Sequence, residues 1–298
     1  MRIVTRPDFD GIVCAVLINE AETIDSPVMW VEPGQVQAGE ADIRKGDIMA
    51  NLPYDPRCSV WFDHHVSNRI HTPVEGAFAI APSAARVAYD YYIARSRLHR
   101  NFDELVRETD TIDAALLDMD QVLHPENYPY ILLSMTVKNH DASDPPYWNH
   151  LVALLKEKTI DAVHKDPEVM ERCRVVRQEN TDYVDILRNT TRIHGNISVA
   201  DFRSMGDTPS GNRFLTYSLF PESTASVKIR FADTNRDTVI VSIGHSIFNR
   251  GCNVNVGKLL SRYGGGGHAG AGGCSLDART ADETIQEILE ILKKNRPV

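Results

Sequence analysis

Short apolar segments alternate with segments of helical spacing in the first half of the chain, and this alternation constrains the fold more than any other feature. The strand candidates are Arg2–Thr5, Val28–Val31, Asp47–Ala50 and Ser59–Phe62, and Gly11–Glu20 has the spacing of a helix after the first of them. Strands that alternate with helices predict a mostly parallel sheet covered by helices. Ligands of such sheets bind at the carboxyl ends of the strands, so the residues after each strand are the first candidates for a functional site.

Further segments of helical spacing are Pro82–Ala94, Phe102–Leu117 and Tyr130–Val137, followed by a charged segment, Asp166–Arg192, that is typical of a connecting helix. A chain of 298 residues is longer than one ordinary domain requires. We therefore predict an α/β protein of two domains. Residues 1–165 form a parallel-sheet α/β domain, residues 166–195 a helical linker, and residues 196–298 a smaller α/β domain.

The second domain has its own pattern of compact apolar or alternating segments. We predict strands at Ile197–Asp201, Phe214–Ser218, Ser226–Phe231 and Thr238–Gly244, then a glycine-rich loop and an amphipathic helix over Thr280–Lys294.

Composition excludes several classes of protein. The net charge of -9 argues against broad, non-specific nucleic-acid binding through a basic surface. The five cysteines are scattered without a CxxC pair, which indicates free thiols in a reducing compartment. No charged-then-apolar leader and no apolar stretch of roughly 20 residues is present, so we predict a cytoplasmic protein that does not enter a membrane.

Polar side chains follow two of the strand candidates. Asp8 and Asp10 come after the first strand, and Asp63, His64 and His65 come after an apolar segment further on. Carboxylate and imidazole ligands at one edge of a sheet suit a divalent cation such as Mn²⁺ or Mg²⁺. The alternatives are an acidic turn with Asp10 as a helix N-cap, and a surface pair of histidines.

Two further places offer oxygen ligands. Asn51 and Asp55 lie after the intervening strand, where Asp55 also suits a turn before Pro56. Asp110 and Asp113 are three residues apart and share a face of a predicted helix. The polar segment KNHDASD offers Asn139, His140, Asp141 and Asp144 as replacement ligands or as a loop; the loop is the preferred interpretation.

These motifs, in order, resemble the DHH phosphoesterase superfamily, which includes RecJ exonucleases, nanoRNase/pAp phosphatases and exopolyphosphatase-related proteins. DFDG at Asp8, FDHH at Asp63, and Asp110 resemble its N-terminal motifs, with the strand end near Asn51–Asp55 between them. YGGGGHAGAGG from Tyr263 resembles the phosphate-binding loop of the DHH-associated C-terminal domain. The resemblance covers nearly the whole chain.

The resemblance implies roles for the N-terminal residues. Asp8 would ligate one Mn²⁺ or Mg²⁺ ion, Asp10, His64 and Asp110 a second ion, and Asn51 and Asp55 stand where the family has a bridging Asp. Asp63 would orient the histidines, and His65 would face the substrate phosphate as a catalytic residue.

In the second domain the resemblance implies a substrate site. Its residues would be His245, Arg250, Asn253, Gly265, Gly266, Gly267 and His268, with the loop holding a phosphate. Asn253 and Asn255 equally suit structural places at a helix start.

Three positions depart from the family pattern. A family His before the Asp pair is replaced by Val4 or Arg6, the bridging Asp by Asn51, and a phosphate-binding Arg by His245. The number of bound ions, one or two, is therefore open. The resemblance implies a metal-dependent phosphoesterase for small phosphate-containing substrates: a short single-stranded oligonucleotide, pAp, a cyclic dinucleotide or polyphosphate. A homodimer is a further hypothesis, since the sequence does not fix the oligomeric state. The alternative is a degenerate, non-catalytic phosphate- or nucleic-acid-binding protein.

Overall fold

The chain folds into two compact units in a computed structural model that describes residues 1–138, 143–206 and 208–298. The first unit contains Met1–Leu117 and Pro125–Arg174, and the second contains Asp118–His124 and Val175–Val298. The candidates Asn139, His140 and Asp141 lie outside the described residues.

A parallel sheet forms the centre of the first unit. Its strands lie in the order β2-β1-β3-β4-β5, and every neighbouring pair is parallel. The strands are β1 (Arg2–Thr5), β2 (Met29–Trp30), β3 (Asp47–Ala50), β4 (Val60–Asp63) and β5 (Gly76–Phe78). The prediction of a parallel α/β domain is therefore confirmed, with β5 as a strand that the sequence analysis did not predict.

The helices before residue 191 lie mostly in the first unit. The helix within Asp118–His124 and the part of the last helix after Arg174 belong to the second unit. These helices are α1 (Phe9–Ala21), α2 (Pro33–Gln37), α3 (Ala84–Ile93), α4 (Asp103–Asp113), α5 (Met119–Leu123), α6 (Pro129–Met135), α7 (Pro145–Glu157), α8 (Ile160–Val163) and α9 (Pro167–Thr190). Every residue of α1 from Phe9 to Ile18 is buried, because this helix packs against β1 and also against α3, α4 and α7. An apolar helix enclosed on all sides fixes the position of its first turn, which carries Asp10.

A mixed sheet forms the centre of the second unit, in the order β10-β11-β9-β8-β7-β6. The strands are β6 (Thr191–His194), β7 (Ile197–Asp201), β8 (Ala225–Phe231), β9 (Thr238–His245), β10 (Gly266–Gly267) and β11 (Ala271–Asp277), and the helices are α10 (Leu215–Leu219), α11 (Val256–Ser261) and α12 (Ala281–Lys294). Alternate residues of β8 and β9 enter an apolar core with one face of α12.

Two sequence predictions in this unit were wrong. Phe214–Ser218, predicted as a strand, is part of the short helix α10, in which Leu215 to Ser218 are buried. Periodicity does not separate a short buried helix from a buried strand. Part of the glycine-rich segment, predicted as a loop, forms β10 and β11.

None of the described helices is long and apolar enough to cross a lipid bilayer.

Candidate active site

The carboxyl ends of three adjacent strands bring the predicted polar residues of the first unit together. Arg6 and Asp8 follow β1, Asn51 follows β3, and His64 and His65 follow β4. Because these strands are parallel neighbours, their ends meet at one edge of the sheet.

Asp10 is buried in the first turn of α1 and is held by the beginning of α3. Its carboxylate oxygens accept hydrogen bonds from the backbone N–H groups of Ala84 at 2.9 Å and Ala85 at 2.8 Å. Burial raises the pKa of Asp10 well above its usual value, and the nearby carboxylates of Asp113 and Asp8 raise it further. A cation among these acids would relieve their mutual repulsion.

His64 presents a ring nitrogen to two carboxylates. Its Nδ1 lies 3.0 Å from the carbonyl oxygen of Ala81 and so donates to it, which leaves the lone pair on Nε2. That Nε2 lies 3.4 Å from Asp113 Oδ2 and 4.0 Å from Asp10 Oδ2, is buried, and has no hydrogen-bond partner among the described residues. One ligand atom from each of the three residues lies within 4.8 Å of the others. An unbonded imidazole lone pair between two carboxylates fits a divalent cation.

Asp63 holds the chain around the two histidines. Its Oδ1 accepts hydrogen bonds from His65 Nδ1 at 2.7 Å and from the backbone N–H of His64 at 2.8 Å, and its Oδ2 accepts one from Asn68 Nδ2 at 2.7 Å. The hydrogen bond to Asp63 raises the pKa of His65, while the charge of Arg6 opposes this rise. The buried carboxylate thus sets the orientation of His65 and favours its protonated form.

Asp8 caps the beginning of α1, accepts two hydrogen bonds and forms one ion pair. Its Oδ1 accepts hydrogen bonds from the backbone N–H of Gly11 at 2.8 Å and from Asn51 Nδ2 at 2.9 Å, and its Oδ2 lies 3.3 Å from Arg6 Nε. Burial raises the pKa of Asp8 to about 6; the charge of Asp113 adds to this rise, and Arg6 counteracts it.

Asn51 occupies a constrained position at the end of β3. It is buried and has a positive φ of 57°, in the left-handed region that asparagine tolerates better than most residues. Its Nδ2 donates a hydrogen bond to Asp8, and its Oδ1 has no hydrogen-bond partner among the described residues.

Two acids that the sequence analysis assigned to the metal centre are occupied elsewhere. Asp110 accepts from Ser83 Oγ at 2.7 Å and from the guanidinium of Arg86 at 2.7 and 2.9 Å. Asp55 accepts from Arg57 Nε at 2.9 Å and Nη2 at 2.6 Å, and this pairing lowers the pKa of Asp55. Both carboxylates therefore have their own arginine, and neither faces His64.

Asp113, which the sequence analysis offered only as an acid on the same helix face as Asp110, faces His64 together with Asp10. It lies one helical turn after Asp110, in the last turn of α4. The spacing showed that both acids share a face, but only the position of α4 against the sheet decides which of them reaches the histidine.

The glycine-rich loop of the second unit packs closely against its neighbours. A Cβ on Gly267, which has a φ of +142°, would lie 2.3 Å from the carbonyl oxygen of Ala271, and a Cβ on Gly265 would lie 2.4 Å from the Cβ of Cys274. Gly266 between them has no atom within 4 Å of a Cβ position. These positions leave open space above the middle of the loop.

His268 follows these glycines and is exposed, while its backbone N–H donates to the carbonyl oxygen of Ala271 at 2.7 Å. Its exposed imidazole comes two residues after Gly266 in the sequence. The loop thus presents a side chain that can bind an anion.

The other predicted substrate residues have structural partners within the second unit. His245 Nε2 lies 2.9 Å from the carbonyl oxygen of Val254, and Arg250 Nε donates to the carbonyl oxygen of Ile247 at 3.2 Å. The backbone N–H of Asn253 donates to Asn295 Oδ1 at 2.7 Å, which fastens this segment to the end of α12. Asn255 caps α11 through Lys258 N at 3.0 Å, one of the two roles considered for it.

Comparison with solved structures gives a full-length match. The chain is similar to the pGpG-specific phosphodiesterase PggH from Vibrio cholerae, with 30% sequence identity, a TM-score of 0.86, and 99% of each chain covered. No protein-family model matches the chain, and no curated protein does.

More distant structures share the fold. A DHH-domain protein described as a member of the s1p family of ribosomal proteins matches with 12% identity and a TM-score of 0.63, over 99% of this chain and 87% of that one. RecJ from Thermus thermophilus, in complex with Mn²⁺, matches with 11% identity and a TM-score of 0.55. That match covers 100% of this chain and 53% of the RecJ chain.

Proposed function

This chain belongs to the DHH phosphoesterase superfamily, and we propose that it is a divalent-metal-dependent phosphodiesterase that cleaves short linear dinucleotides. The proposal combines the geometry of the strand ends in the first unit with the full-length similarity to a phosphodiesterase.

The observation that carries the proposal is the unbonded Nε2 of His64. It is buried and faces the carboxylates of Asp10 and Asp113, while Nδ1 is held by a carbonyl oxygen. Leaving a buried polar nitrogen without a partner is costly, so a group that binds it there is expected.

A divalent cation fits this place. Asp10, His64 and Asp113 would hold it, and two carboxylates with one imidazole suit Mn²⁺ or Mg²⁺. When bound, the cation would stabilise the negative charge that develops on the attacked phosphate.

Asp63 and His65 have a complementary role. Asp63 accepts the Nδ1 proton of His65 at 2.7 Å, which directs the other ring nitrogen away from this carboxylate. A proton held at His65 Nε2 would bind a phosphate oxygen or pass to the leaving oxygen. The pKa of His65, raised by Asp63, keeps this proton available nearer neutral pH.

The substrate class follows from similarity and charge. The 30% identical relative over the full length is a pGpG-specific phosphodiesterase, and we carry this class of substrate, a short 5′-phosphorylated dinucleotide, to the present chain. A net charge of -9 disfavours long duplexes, which are held by many cationic contacts. The open space over Gly266 and the exposed His268 supply a place for a substrate phosphate.

Hydrolysis assays test the proposal. Protein purified without metal, then supplied with Mn²⁺ or Mg²⁺, is incubated with pGpG, pApA, pAp, cyclic di-GMP and polyphosphate, and the products are separated by chromatography. We expect mononucleotides from the linear dinucleotides and a kcat at least about 100-fold lower for His64→Ala, because a metal ligand is lost. Retained circular dichroism would show that this variant is folded.

Two outcomes would contradict the proposal. Turnover by His64→Ala equal to that of the wild type would exclude the assigned centre. Absence of turnover with every substrate and either metal, with dinucleotide binding retained, would instead identify a non-catalytic phosphate-binding protein.

A further inference from the structure

The two sides of the strand-end cluster differ in how their negative charge is compensated. His64 Nε2 lies 4.0 Å from a carboxylate oxygen of Asp10 and 3.4 Å from one of Asp113, and it makes no hydrogen bond to a described residue. Asp8, by contrast, already has partners at both oxygens: Gly11 and Asn51 donate hydrogen bonds to one, and the Arg6 guanidinium forms an ion pair with the other. The side formed by Asp10, His64 and Asp113 is therefore suited to bind a cation. On the other side, the guanidinium of Arg6 already compensates the charge of Asp8.

Arg6 is the cation on the second side. It follows β1 directly, and its Nε lies 3.3 Å from Asp8 Oδ2 and 3.5 Å from Glu32 Oε2. This Nε is buried, whereas the side chain as a whole is 33% exposed. The two Nη groups make no hydrogen bond to a described residue. Their N–H donors are therefore available to a ligand.

Asn51 makes the surroundings of Asp8 less favourable for a second metal ion, for a separate reason. Its Nδ2 donates to Asp8, so it presents N–H hydrogens rather than a lone pair on that side. An amide also carries no charge to offset a dication. A second divalent ion would lie between a guanidinium and an amide donor, where repulsion by the positive charge opposes binding.

We propose that Arg6 replaces a second metal ion: the centre binds one divalent cation, and the Arg6 guanidinium binds the phosphate of the substrate beside it. An arginine fork matches two phosphate oxygens and keeps its charge at every physiological pH. The inference rests on the proposed function for the identity of the phosphate, but its metal count stands independently.

Metal stoichiometry tests the first part without any substrate. Metal-free protein is titrated with Mn²⁺, and bound and free ion are followed by electron paramagnetic resonance and by elemental analysis after gel filtration. We expect one Mn²⁺ per chain, with the signal of an isolated ion. The double substitution Arg6→His with Asn51→Asp adds an imidazole and a carboxylate next to Asp8, and we expect it to bind a second Mn²⁺ with a coupled signal. Two tightly bound ions in the wild type would overturn the proposal, and so would an unchanged single ion in a folded double variant.

Phosphate binding tests the second part. In the presence of Mn²⁺, inorganic phosphate binding is measured by calorimetry for the wild type, Arg6→Gln and Arg6→Lys. Arg6→Gln should weaken phosphate binding about tenfold, and Arg6→Lys should recover part of this loss, while each variant still binds one Mn²⁺. Arg57→Gln is the matched control, because that arginine pairs with Asp55 outside the cluster.

The outcomes separate this inference from the proposed function. Unchanged phosphate affinity in a folded Arg6→Gln variant would overturn the role of Arg6 even if the enzyme hydrolyses dinucleotides. Lack of hydrolysis in the wild type would contradict the proposed function, while the metal count and phosphate affinities would still decide whether Arg6 replaces an ion.

Discussion

Individual carboxylates in the first unit have different partners. Asp110 and Asp55 each accept two guanidinium hydrogen bonds, from Arg86 and Arg57 respectively. Asp113 lies 3.4 Å from His64 Nε2. A carboxylate paired with arginine stabilises local structure, and two acids close to an imidazole lone pair favour a cation.

Asp113 and Asp110 form a matched pair for mutagenesis because they lie one turn apart on α4. We expect Asp113→Asn to weaken Mn²⁺ binding at least about 10-fold by removing a charged ligand. Asp110→Asn should leave Mn²⁺ affinity nearly unchanged and lower the free energy of unfolding by about 1 kcal/mol through its ion pair with Arg86. Calorimetry and urea unfolding measure the two effects. The reverse pattern would return the metal-binding role to Asp110.

Asp55 provides a prediction about pH. Its pairing with Arg57 lowers its pKa in the folded protein below the ordinary value of about 3.9. A lowered folded-state pKa means that the ion pair stabilises the protein above the unfolded-state pKa, and that this contribution is lost as the pH falls through the folded-state pKa.

Asp55→Asn should therefore lower the free energy of unfolding by about 1 kcal/mol at pH 7. The difference from the wild type should shrink as the pH falls below about 4. Urea unfolding at several pH values measures it, and Mn²⁺ titration serves as the control, since the metal affinity should not change. A loss of metal binding would show that Asp55 is a ligand after all.

The ends of strands and the beginning of a helix position the residues of the candidate active site. Parallel strands β1, β3 and β4 deliver their following residues to one edge, and the first turn of α3 binds the Asp10 carboxylate through two backbone N–H groups. The partial positive charge at a helix beginning favours such an anion. In the second unit, close backbone packing of β10 against β11 shapes the glycine-rich loop.

Neighbouring glycines of this loop differ in what they tolerate. Gly267→Ala should lower the free energy of unfolding by roughly 2–4 kcal/mol, because the new Cβ meets the carbonyl oxygen of Ala271 in a positive-φ conformation. Gly266→Ala should change stability by less than about 1 kcal/mol but raise the KM for a dinucleotide, because its methyl group enters the open space. Thermal unfolding and steady-state kinetics measure these effects. An unchanged KM in Gly266→Ala would contradict a phosphate site over this glycine.

The whole chain contains two compact units whose boundaries do not follow the sequence order alone. Asp118–His124 belongs to the second unit although it precedes much of the first, and the division between the units falls within α9 at Arg174 and Val175. A short segment such as α5 packs with α10, some 90 residues later in the sequence. Local pattern does not predict such long-range packing.

The sequence by itself determined the parallel α/β character of the first unit, the family and the strand ends at which the polar residues meet. These features depend on local periodicity and on contiguous motifs such as FDHH, which are legible without coordinates. The strand-end residues Asp8, Asp10, Asn51 and His64 were identified in this way.

Only the tertiary structure decided which acid accompanies Asp10 and His64, and how the charge of Asp8 is compensated. Asp110 and Asp113 share a helix face, and the direction from which Arg86 approaches decides between them. Likewise, Arg6 and Asn51 come from different strands and meet at Asp8 only when the sheet assembles. The reason is physical: ligation and ion pairing depend on distances of a few ångströms between residues far apart in the chain, and these distances are set by packing.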